Sequence, residues 1–274
     1  MKNLSWISSV FLLLLSGAGF SPLFSDSLDQ ARDLLNNGRP AEASKLLEGY
    51  DPKTNSDVAQ LQGEIFLASK FYREALNAFQ ASCAAQADVR CFTGAGAVYM
   101  SMGNYSDALK SFEKAKALSP QDSTVYSNCG VALLYLRRAD EARLAYENAI
   151  RLDQGNLDAK TNLAILEIRK NQYQTGLALL NEVLAEDTDD YFAHLFAGYA
   201  CYRLKRNAEA MKHYNAGLKA NPDSFELHYY RASLFYRMGN SGDALSDLDE
   251  ADRLWPANGK TDILRSQILK GLNR

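Results

Sequence analysis

The sequence predicts an all-α solenoid of antiparallel helix pairs, and three observations carry that expectation. Small residues return at a fixed interval: Ala108, Ala142, Gly176, Ala210 and Ala244 stand 34 residues apart at every step. Other columns keep the same register. Four places on come Phe112, Tyr146, Leu180, Tyr214 and Leu248, and upstream come Gly96, Gly130, Ala164, Gly198 and Ala232. Turn signals such as Gly103-Asn104 and Gly239-Asn240 separate the columns, and no Pro-rich or Gly/Ser-rich tract reads as a linker.

The residue types have a physical reason. Positions i, i+4 and i+7 of a helix share one face. A small residue there lets a neighbouring helix approach, and a large one a turn later fills the space beside it. The expectation is small against small, with Ala108, Ala142, Ala210 and Ala244 facing Gly96, Gly130, Gly198 and Ala232.

The chain begins with one positive charge at Lys2, an apolar run from Trp6 to Leu15, and small residues from Ser16 to Gly19. This is the order of a secretory signal, placed over residues 1–25. Membrane anchoring by residues 4–24 is the alternative, since Phe20, Leu23 and Phe24 extend the apolar run toward the roughly 20 residues of a span. The expected location is the periplasm or the outside of the cell.

Helix pairs then follow over about 26–55, 56–88, 89–122, 123–156, 157–190, 191–224 and 225–256. The clearest copy is Phe92, Ala95-Gly96, Tyr99, Ala108, Phe112, Ala115 and Pro120. The columns resemble the tetratricopeptide repeat family, whose pattern is Trp, Leu-Gly and Tyr on a first helix and Ala, Phe, Ala and Pro on a second. The resemblance implies a right-handed superhelix, with the first helix of each pair lining a concave groove that binds protein. A last amphipathic segment within 258–272, carrying Ile263, Leu264, Ile268 and Leu269 on one side, reads as the capping helix such an array needs.

Composition narrows the partner. The net charge is -3, and the Lys and Arg residues are scattered among Asp and Glu, which argues against nucleic acid. Nothing after the N-terminal run reads as membrane-embedded, and the oligomeric state is not legible. The four cysteines make no framework. Cys83 and Cys91 are close enough to meet across a turn, and whether they bond stays open, while Cys129 and Cys201 read as small core residues.

No catalytic residue, metal site or cofactor motif stands out. His194 and His228 occupy equivalent places in successive repeats and read as packing residues. Asp187 to Asp190 reads as a turn capping the next helix, with calcium a remote alternative.

Function is expected in the groove. The resemblance places Asn128, Asn162 and Arg169 there, then Phe192, Tyr199, Tyr202 and Arg203, then Tyr229, Tyr236 and Arg237. Asn128 and Asn162 match a position from which the family often holds a bound peptide's backbone. The lysines with which some relatives clamp a C-terminal carboxylate are absent. Aromatic rings with polar tips suit a contact surface, with core filling as the alternative for several of them; Arg203 and Arg237 either offer paired donors to a ligand carboxylate or are solvated at their helix ends. The expected function is a non-enzymatic scaffold or adaptor for another protein or peptide segment, with a structural subunit of an envelope or secretion assembly as the alternative. N-terminal sequencing of the exported protein should begin just after Ala18 or between Ser21 and Ser25, whereas an intact Met1 would mark an anchor.

Overall fold

The computed structural model describes residues 22–256 and 259–272, with side chains from residue 26 onward. The signal or anchor expected over residues 1–25 lies outside the described residues, apart from the backbone that begins at Pro22. Fifteen helices and no strand occur among the described residues. They fall into two compact units that divide in sequence between Pro120 and Gln121.

The first unit holds α1 (Pro22–Asn36), α2 (Pro40–Leu46), α3 (Ser56–Ala68), α4 (Tyr72–Ala85), α5 (Val89–Ser101) and α6 (Tyr105–Leu118). The second holds α7 (Ser123–Tyr135), α8 (Ala139–Leu152), α9 (Leu157–Arg169), α10 (Tyr173–Glu186), α11 (Tyr191–Arg203), α12 (Asn207–Ala220), α13 (Phe225–Arg237), α14 (Ser241–Leu254) and α15 (Gly259–Leu272). In both units consecutive helices close into hairpins: the fold is an all-α repeat solenoid.

Local chemistry sets the helix ends. Asn55, Asp88, Asp122, Asn156, Asp190 and Ser224 cap α3, α5, α7, α9, α11 and α13, each accepting from a backbone N–H in the first turn. Each of these six helices ends in a left-handed residue: Lys70, Gly103, Arg137, Asn171, Lys205 or Gly239. There the chain reverses with a paired bond pattern, as in Arg137 N to Leu134 O and Arg138 N to Leu133 O, both 2.9 Å.

The hairpins close on an aromatic ring. Ala108, Ala142, Ala210 and Ala244 are fully buried. The surface nearest each first-helix glycine, however, is the large residue of the second helix and not the alanine. A Cβ on Gly130 would stand 2.5 Å from the Tyr146 ring and one on Gly198 2.5 Å from the Tyr214 ring. Gly96 meets Phe112 and Gly63 meets Phe79 in the same way. At Gly96, Gly130 and Gly198 the small-against-small expectation is thus corrected: the missing side chain makes room for a ring sixteen residues later in sequence. Where that residue is Leu180 or Leu248, the first helix carries Ala164 or Ala232 instead. In the Ala164 hairpin the close approach passes to Gly176, whose Cβ would lie 2.8 Å from the Ala164 carbonyl oxygen.

The C-terminal helix caps the second unit. Leu264 and Ile268 pack with Ala232, Ala244 and Leu248, and Arg265 reaches Asp249 and Asp252, each at 2.7 Å. Ile263 and Leu269, expected on the same side, are 65% and 45% exposed, because the buried stripe runs through Thr261, Leu264 and Ile268. In the first unit Cys83 of α4 and Cys91 of α5 form a disulfide, joining adjacent hairpins with a Cα separation of 5.4 Å.

A helical Gly→Ala change ordinarily gains about 0.5–1 kcal/mol. Gly130→Ala should instead destabilise by about 1–3 kcal/mol, the usual cost of overpacking. Combining it with Tyr146→Leu recreates the pairing found at Ala164 and Ala232, so the double variant should be more stable than the sum of the single changes predicts. Urea denaturation of the four proteins measures this coupling; strict additivity would refute the contact.

Candidate functional site

In the second unit, α7, α9, α11 and α13 each bury one face against their own hairpin partner and others against neighbouring hairpins. The remaining faces line a row of clefts. Asn128 and Asn162 share a polar cleft of about 400 Å³. Neither amide makes a hydrogen bond among the described residues, and the hydroxyl of Ser127, which borders the same cleft, is buried without a partner.

Asn162 also opens on a larger cleft, of about 770 Å³. Val131, Ile165, Phe192 and Phe196 give it apolar walls, and Arg137, Arg169 and Lys170 are its charged lining. Phe192 is 42% exposed and stacks edge-on against Phe196 at 5.0 Å. Arg169 borders a further cleft of about 430 Å³ together with Phe196, Tyr199 and Arg203. The other expected residues lie elsewhere. Tyr202, Tyr229, Tyr236 and Arg237 line a cleft of about 440 Å³ whose far wall is α15, through Ile263, Leu264 and Gln267.

The ten residues therefore do not form one surface of equivalent side chains. Arg203 and Arg237 are exposed at their helix ends and also make contacts within the fold. The Arg203 guanidinium lies 4.6 Å from the Tyr173 ring centre and donates to the Tyr199 hydroxyl at 2.7 Å. That of Arg237 lies 3.6 Å over the Tyr202 ring, donates to the Tyr202 carbonyl at 2.8 Å and also bonds the Asn207 side chain. Tyr236 reaches the Gln267 carbonyl of α15 at 3.4 Å, which gives it a part in seating the cap. Sequence reasoning missed Tyr173 and Asn207 as the holders of these arginines, although each stands thirty residues before the arginine it holds.

Comparison with known proteins settles the family. A model described as "TPR repeat" matches residues 96–136 and 198–239, and one described as "Tetratricopeptide repeat" matches residues 133–195. The chain is a tetratricopeptide repeat protein. It is 25% identical over 165 residues to anaphase-promoting complex subunit 7 of Arabidopsis thaliana, covering 60% of this chain and 29% of that protein. It is 24% identical over 241 residues to DnaJ homolog subfamily C member 3 of Gallus gallus, covering 81% and 48%. Among solved structures, the APC/C hetero-tetramer Cut9-Hcn1 shares the fold with a TM-score of 0.77 at 18% identity, over 87% of this chain and 48% of that one. The chain thus spans less than half the length of each of these three.

Two clusters of titratable groups in this tetratricopeptide repeat protein sit between paired helices. His228 is buried, with Nδ1 3.1 Å from the Asp247 carboxylate and Nε2 3.0 Å from the Pro222 carbonyl. Arg231 binds the same carboxylate through two bonds of 2.7 Å and Asn215 through a third of 2.8 Å. Both partners of the imidazole can only accept, so the ring is best satisfied when doubly protonated. Burial opposes that charge, but the bonds to Asp247 and Pro222 outweigh it and raise the pKa of His228. One repeat earlier His194 faces His213, Nδ1 to Nδ1, at 3.1 Å. Burial and then the His194 charge lower the pKa of His213. Among the described residues no group of His, Cys, Asp and Glu is arranged to hold a metal ion.

The two histidines carry opposite signs. A raised folded pKa gives stability that is full below the unfolded value near 6.5 and is lost as pH rises through the folded value. His228→Gln should therefore cost most stability under mildly acidic conditions and progressively less in alkali. His213→Gln should cost most at high pH, because a lowered folded pKa gives stability that disappears as pH falls. Denaturant midpoints measured from about pH 5 to pH 9 test both, and parallel curves for the two variants would contradict the assignment.

Proposed function

We propose that this protein is a non-enzymatic adaptor that holds an extended segment of a partner protein in the clefts of its second unit. The observation that carries this reading is a pair of half-buried amides, Asn128 and Asn162, that border a single cleft and bond to no other group among the described residues. An amide side chain offers one acceptor and two donors, the complement of a peptide backbone. Beside it Phe192 and Phe196 supply apolar area whose burial drives association. No bond is made or broken. The similarity to a subunit of the anaphase-promoting complex supports a role exercised through other proteins.

The same proposal places the protein outside the cytoplasm, in the periplasm or secreted. The order of charge, apolar run and small residues from Met1 to Gly19 supports export, and the Cys83–Cys91 disulfide suits an oxidising compartment. Among the described residues no helix is long and apolar enough to cross a membrane. A second reading, a structural subunit of an envelope or secretion assembly, is favoured by the exposed Ile263, Leu269 and Leu272 of α15.

Affinity capture from an envelope fraction should recover a partner with the unaltered protein as bait. With Asn128→Ala/Asn162→Ala the recovery should fall roughly tenfold, as expected for the loss of two hydrogen bonds, with the denaturation midpoint unchanged. Equal recovery with both baits would remove the groove reading and leave the assembly reading.

A further inference from the structure

Arg169, Arg203 and Arg237 occupy the same place in three successive repeats, yet only the last two are held. The difference lies in what surrounds them. Arg203 is gripped from four residues back by Tyr199 and from thirty back by Tyr173. Arg237 is gripped from thirty back by Asn207 and from thirty-five back by Tyr202. The corresponding places before Arg169 are Ile165, Ala139 and Leu134, all apolar and all lining the cleft of about 770 Å³. The Arg169 side chain makes no hydrogen bond, ion pair or ring contact among the described residues.

Two further features of that cleft point the same way. Arg137 lines it too, on a left-handed residue with φ 62°, and its side chain likewise has no partner. The third cation, Lys170, is paired at 2.6 Å with Asp140, which does not line the cleft. No Asp or Glu is part of the lining, so in a chain of net charge -3 this is a local concentration of positive charge.

We propose that this cleft selects a partner segment in which an acidic side chain stands beside a large apolar one. Arg169 and Arg137 take the carboxylate, and Phe192, Phe196 and Val131 receive the apolar group. A guanidinium binds a carboxylate through two parallel bonds, and the apolar walls limit the water that would otherwise screen them. This selectivity rests on the adaptor reading and adds to it the chemistry of the partner.

The test uses the full chain and short, terminally blocked, fluorescein-labelled peptides followed by fluorescence polarisation. Each peptide sets Phe or Leu beside Asp or Glu, beside Asn or Gln, or beside Lys or Arg. The acidic set should bind roughly tenfold more tightly than the amide set, as bonds to charged groups predict. Salt at about 1 M, where the screening length is only about 3 Å, should erase most of that difference. Arg169→Gln should abolish the acidic preference while leaving the amide set unchanged. Arg137→Gly should weaken it without loss of folding, since glycine suits the left-handed backbone. Equal binding of acidic and amide peptides, tighter binding of the basic set, or a preference that survives Arg169→Gln would overturn the proposal. If all three sets bind alike and Asn128→Ala/Asn162→Ala abolishes binding, the adaptor reading stands and the selectivity falls; if no peptide binds, both fall.

Discussion

The contact of an aromatic ring on a glycine is the constraint from which the rest of the structure follows. In four hairpins the ring of the second helix occupies the space that a first-helix Cβ would fill. That contact fixes how closely the two helices approach and which way the first helix is turned about its axis. Rotation matters because one residue corresponds to about 100° on a helix. A first helix turned by a single residue would carry Asn128 or Asn162 out of its cleft. Packing on one side of the helix therefore decides what the other side presents.

The helix ends supply the second constraint. Each first helix of the six capped hairpins starts on a side-chain cap and stops on a left-handed residue. Four of those stops, Lys70, Arg137, Asn171 and Lys205, are not glycine and take φ of 62–65°. An L-residue there costs about 1–2 kcal/mol. The cost is met by the two reversing backbone bonds, which satisfy carbonyls that would otherwise be orphaned at the helix end. The turn also sets the second helix on its way within two residues, so the ring arrives opposite its glycine.

Much of this was legible in the residues. Helix pairing followed from the columns at Ala108 and Phe112 and their successors, because a 34-residue period with i, i+4 spacing has no other compact solution. Two things were harder. The capping column from Asp88 through Asp122, Asn156 and Asp190 to Ser224 is as regular as the others, but only Asp190 drew notice, since polar residues in turns carry little weight singly. The partner of each glycine was misjudged because small residues on two helices suggest mutual contact. The chain itself held the answer: glycine accompanies Phe79, Phe112, Tyr146 and Tyr214, whereas alanine accompanies Leu180 and Leu248. For the candidate site, the period located each residue within its repeat but said nothing of its neighbours. Tyr202 and Tyr236 were placed in a groove, and the structure gives them an arginine to stack and a cap to hold.

The arginines show how a repeat array makes a binding surface by omission. Every copy offers the same backbone positions, and a side chain is bound internally or left available according to what the preceding copy supplies. Arg237 illustrates the bound case. It covers the Tyr202 ring and caps a carbonyl in the last turn of α11, so its charge stabilises a helix end. Arg169 has the same reach but finds Leu134, Ala139 and Ile165 where its equivalents find tyrosine or asparagine. Its charge therefore faces a cleft with apolar walls and no carboxylate of its own. Such an arrangement gains nothing for the isolated fold. Interactions that would have rigidified α9 have been given up, and what remains is complementary to a group the chain does not contain.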